Sequence, residues 1–169
     1  MNALKVFCLM LAVAILPATA EAQTGYVSYE AGPRVDSILQ WAEAESPSLR
    51  TDLVKIRSNM DGFLVVATAQ SAGVVLKEDV LAANAHSNPG LMMVVVDMEK
   101  ADKLAITDAE LTWVLVHEVY GHATHALLAG AVCSDPVDGQ PYAMSCVANR
   151  ESVVLAELGM APRKQYPLR

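Results

Sequence analysis

The sequence predicts one small α+β domain, mostly helical with a small sheet. Three observations carry that prediction. Apolar residues recur at helical spacing near both ends of the chain, two continuous β-rich runs occupy its middle, and no repeat, low-complexity tract or interior linker divides it.

Residues 1–22 read as a secretory signal peptide, with Lys5 at the positive start and an apolar run over 6–16. Pro17 breaks that run, and Ala18, Thr19 and Ala20 offer small residues for cleavage, with Ala22 as a second cut site. The run is shorter than the ~20 residues needed to cross a bilayer. The expectation is therefore an exported chain, periplasmic or secreted, with residues 23–169 as its domain and no stable membrane association after cleavage.

In that domain, Val35, Ile38, Leu39 and Ala42 fall at helical spacing. Ser46 and Pro47 then have the form of cap and first-turn residue of a second helix that turns Leu49, Leu53 and Ile56 inward. Residues 63–68 and 91–98 are continuously apolar, as buried strands are, and Asn88, Pro89 and Gly90 signal a turn before the second. Residues 77–85 between them read as a short helix. Thr107 and Glu110 form a capping-box pair that opens the longest helix, and Gly130 is its natural stop. Apolar residues lie around most of its circumference, so its histidines belong to the interior. A last helix covers residues 147–158, ended by Gly159 with Pro162 beyond.

The chain is 53% hydrophobic and 18% charged, the composition of a packed globule. With 12 basic and 19 acidic residues, a net charge of -7 and no basic cluster, nucleic acid and anionic membranes are poor partners. Cys8 leaves with the signal peptide. Cys133 and Cys146 remain as one pair in an oxidising compartment and are expected to be bonded, closing a Pro-, Asp- and Gly-rich loop.

The chemistry concentrates at His117, Glu118, His122 and His125 on the longest helix. Histidines five apart on an ideal helix diverge by about 140°. A one-residue π-type bulge returns them to one side, and Gly121 lets the backbone deform there. His117 and His122 would then be two ligands of a catalytic Zn2+. Glu151, a carboxylate amid the apolar face of Val147, Val154, Leu155 and Leu158, is the choice for the third. Glu118 would be the general base acting on water. A rival set, Glu118, His122 and His125, converges on an undistorted helix without His117. The histidines could instead only hydrogen-bond in the core, or bind a metal without turnover. Tyr142 and Tyr166 are both able to stabilise an oxyanion. His86, Asp135 and Asp138 read as surface or turn residues, and Glu157 as solvated.

The stretch His117 to His122, H-E-x-x-G-H, resembles the lengthened zinc motif of the dipeptidyl-peptidase III family. In size the chain is more similar to the short zincin-like metallopeptidase domains of bacterial effectors and Rhs-type toxin tails. Their ending, E-N-x-x-R-x-x-L-G-x-P-x-R, is matched by Glu151, Leu158, Gly159 and Arg163, while Ser152 and Leu155 depart from it and Pro162 is displaced by one. The resemblance implies a zincin-like metallohydrolase that acts on a peptide or protein substrate. A toxin role does not carry over to a chain with its own signal peptide. The competing expectation is a non-catalytic metal-binding or interaction protein of the periplasm or cell exterior.

Overall fold

The computed structural model describes residues 25–59, 62–88, 90–135, 141, 143 and 145–162. The signal-peptide reading, Asp138, Tyr142, Tyr166 and Arg163 lie outside the described residues. Elements follow as β1 (Tyr26–Glu30), α1 (Pro33–Glu45), α2 (Pro47–Ser58), β2 (Phe63–Thr68), β3 (Ala82–Asn88), β4 (Leu91–Val96) and α3 (Met98–Lys103). The long helix then runs as α4 (Asp108–Leu115), a π-helical segment (Val116–Ala123) and α5 (Thr124–Ala129), and α6 (Cys146–Glu157) closes the fold.

The four strands make one mixed sheet in the order β1-β2-β4-β3. β1, β2 and β4 are parallel, and β3 is an antiparallel edge strand on β4. Side chains alternate across a strand. Leu64 and Val66 of β2 and Met92, Val94 and Val96 of β4 therefore meet the helices in one core cluster with Leu39, Leu53, Leu111, Leu115 and Leu155. Every apolar position assigned inward on α1 and α2 is buried. Ser46 caps α2 through its side chain, and the reciprocal Thr107–Glu110 capping box opens α4.

Several segments differ from expectation. The run over 91–98 is strand only to Val96, because the Asp97 side chain caps a short helix, α3, that the sequence reading lacks. Residues 77–85 are not a helix: Ala82–Asn88 forms β3. The turn that ends at Gly90, with φ 83°, closes a hairpin in which Ala83 pairs with Val95 and Ala85 with Met93. Ladder pairing overrides the helix preference of an alanine-rich stretch. β1 was not expected at all; it is an edge strand that gains its hydrogen bonds from β2. Glu157 is not simply solvated either, since it accepts from Ser46 Oγ at 2.5 Å and from Ser48 Oγ at 2.6 Å, tying α6 to the start of α2. Among the described residues no helix is long and apolar enough to cross a membrane.

Candidate metal centre

The π segment sets the geometry. Its amide bonds span five residues, as from Thr124 N to Val119 O, so positions five apart face the same way. His117 and His122 do so: their Nε2 atoms are 3.2 Å apart and their rings meet edge to face. The undistorted helix that would gather Glu118, His122 and His125 is absent from this stretch. His125 instead lies beside the Cys133 and Cys146 sulfurs.

Gly121 serves packing as well as backbone freedom. A Cβ there would stand 3.0 Å from Val147 Cγ1, so glycine lets α6 come close to the π segment. That approach brings Glu151, 1% exposed, against His117: its Oε2 is 3.0 Å from His117 Nδ1. Glu151 thus meets the imidazole nitrogen that faces away from His122.

Gly130, at φ 65°, ends α5 in the left-handed conformation and turns the chain back. The returning segment places the Cys133 carbonyl 2.7 Å from His122 Nδ1. It also places Asp135 Oδ1 3.2 Å from His117 Nε2 and 3.5 Å from His122 Nε2. The Cys133–Cys146 disulfide, with 5.4 Å between Cα atoms, ties this segment to the first residue of α6. One bridge therefore anchors both the carbonyl that orients His122 and the helix that bears Glu151.

A carbonyl only accepts, so His122 Nδ1 donates to it and a neutral His122 presents a bare lone pair at Nε2. His117 Nδ1 donates to the Glu151 carboxylate, with the same consequence. Two lone pairs and the Asp135 carboxylate then converge within 3.2–3.5 Å, a group of acceptors that a cation, either a proton or a metal ion, can bridge. The donor set of two imidazoles and one carboxylate, with each imidazole held through its other nitrogen, fits a metal ion.

Glu118 is 6% exposed beside this point, its Oε1 3.9 Å from His117 Nε2. Asn84 of β3 donates through Nδ2 to Glu118 Oε2 at 2.5 Å and to the Glu118 carbonyl at 3.3 Å. Burial pushes the Glu118 carboxyl above its ordinary range, opposed by the neighbouring histidines. At His117 burial disfavours charge, but the hydrogen bonds to Asp135 and Glu151 outweigh it and raise the imidazole to about 9. Asp135 is held far below the usual carboxylate range by its hydrogen bonds to His117 and His122.

A pH dependence follows. In the metal-free chain the protonated His117 contributes stability in full below its ordinary value of 6.5, and that contribution is lost as pH rises to about 9. Binding of a metal ion would displace the same proton and would strengthen over the same window. The difference in melting temperature between metal-loaded and chelator-treated protein should therefore widen from pH 6.5 to 9. Parallel thermal melts check this, and a gap that narrows with pH would contradict it.

Asp135, which the sequence reads as a surface or turn residue, is exposed but also faces both imidazoles, and Asn84 is the site residue that sequence reasoning misses. Asp135 carried one usable signal, its place two residues beyond a cysteine anchored next to the histidine helix. Asn84 carries none, because its segment reads as helix in the sequence. Comparison with family models, with curated proteins and with solved structures finds no match to this chain.

Proposed function

We propose that the chain is a zinc-dependent metallopeptidase, exported to the periplasm or secreted, that hydrolyses peptide bonds of peptide or protein substrates. One observation carries the reading: His117 Nε2, His122 Nε2 and Asp135 Oδ1 converge within 3.2–3.5 Å while both imidazoles are pinned through Nδ1. His117, His122 and Asp135 would hold the ion, in place of the His117, His122 and Glu151 set expected from sequence. Glu151 then orients His117, and the Cys133 carbonyl orients His122, which fixes both tautomers. When bound, zinc supplies Lewis-acid polarisation of a carbonyl and acidifies a water. Glu118, held by Asn84 and raised by burial, takes the proton of the attacking water and returns it to the leaving amine. β3, which carries Asn84, is an edge strand among the described residues, and such an edge supports an extended substrate pairing beside the site. The disulfide is compatible with an oxidising, exported location.

A second reading, a metal-binding protein without turnover, is favoured by the burial of the site, where His117 and Glu118 are 1% and 6% exposed. Metal analysis of the purified protein by mass spectrometry tests the common premise, with one zinc per chain expected. A chain that neither retains nor takes up a first-row metal would remove both readings. Iron in place of zinc would remove the zinc assignment, since two histidines and a carboxylate also suit Fe(II).

A further inference from the structure

The π segment that lets His117 and His122 converge must be held against reverting to ordinary α-helix. A helix passing from five-residue back to four-residue hydrogen bonding leaves one carbonyl over at the junction. The five-residue bond accepted at Val119 O stands at this end of the segment, and the next carbonyl is that of Tyr120. Two side chains donate to it: Thr124 Oγ1 at 2.9 Å and Arg150 Nε at 3.1 Å. The same guanidinium donates through Nη2 to Thr124 Oγ1 at 3.1 Å and to Asp52 Oδ2 of α2 at 3.0 Å, and it stacks 4.3 Å over the Tyr120 ring. This planar fork suits several acceptors at once, as an ammonium does not. Arg150 also directly precedes Glu151, so adjacent residues of α6 grip the π segment by its backbone and by His117.

We propose that Arg150 is a positioning residue: by capping the Tyr120 carbonyl it locks the π register and so keeps His122 aimed at the metal position beside His117. The proposal rests on the metal site argued above, and its test separates the two. Deleting Gly121 turns the motif into His117, Glu118, Val119, Tyr120 and His122 in succession, with the histidines four apart, the spacing an undistorted helix brings onto one face. A register lock has nothing left to lock in that chain.

Co2+ affinity, read from its visible absorption, is measured for the unaltered chain, for Arg150→Met, for the Gly121 deletion and for the two combined. Arg150→Met should weaken Co2+ binding about 10–100-fold in the full-length helix. It should leave binding unchanged in the deletion background, and Arg150→Lys should restore only part of the loss. No loss in the full-length helix, or an equal loss in both backgrounds, overturns the proposal. Hydrogen exchange of the metal-free protein gives a second reading if the deleted chain does not fold. Arg150→Met should speed exchange selectively at the amides of residues 121–124, and uniform change, or none, overturns it. An unaltered chain that binds no Co2+ removes the metal-site reading alone, because the exchange pattern still decides the register.

Discussion

Glu118→Gln is expected to lower peptide hydrolysis by about 10²–10⁴-fold while the metal content stays that of the unaltered chain. Glutamine keeps the length of the side chain and an oxygen for the Asn84 amide, so the local packing survives. What it removes is the basic oxygen. Glu118 Oε1 is 3.9 Å from His117 Nε2, beside the point where the two imidazoles and Asp135 converge. Burial raises its proton affinity, which suits a group that must accept a proton near neutral pH. The measurement pairs kcat/KM on a peptide panel with metal analysis of each preparation. If activity and metal disappear together, Glu118 is a ligand and not the base. If the unaltered chain hydrolyses nothing on a broad panel, the non-catalytic reading stands.

The helix that bears the site was legible because its signals are local. A capping box, a terminal glycine and histidines five apart on either side of Gly121 are all facts about neighbours in sequence, and each appears in the fold as expected. The lone carboxylate on the apolar face of the last helix was legible for the same reason, and Glu151 is indeed buried there. Which imidazole nitrogen it would meet was not, since that depends on how closely α6 approaches Gly121 and on ring rotation about His117. Asp135 escaped because a carboxylate in a Pro- and Gly-rich segment looks solvated until Cys133, bonded to Cys146, holds that segment against the helix. β3 escaped because an alanine-rich segment has no strand pattern of its own. Its pairing with β4 supplies the structure, and with it Asn84.

Asp135→Ala and Glu151→Gln should affect the metal in different ways, and the contrast decides the ligand set. Asp135 Oδ1 stands on the side of both Nε2 atoms, so its removal takes one donor from the ion and should alter the Co2+ absorption spectrum as well as weaken binding. Glu151 Oε2 stands 3.0 Å from His117 Nδ1, across the ring from that point. Glutamine there keeps the volume and an acceptor for Nδ1–H but loses the charge that strengthens the imidazole as a donor to the metal. Affinity should fall about 10–100-fold with the spectrum unchanged in shape. The reverse pattern, a changed spectrum in Glu151→Gln and a neutral Asp135→Ala, would mean that metal entry rotates His117 and draws Glu151 into coordination. The present arrangement argues against that rotation. It would break the Nδ1 bond inside a core where His117 and Glu151 are each 1% exposed, and it would leave a buried group without its partner unless the ion supplied one.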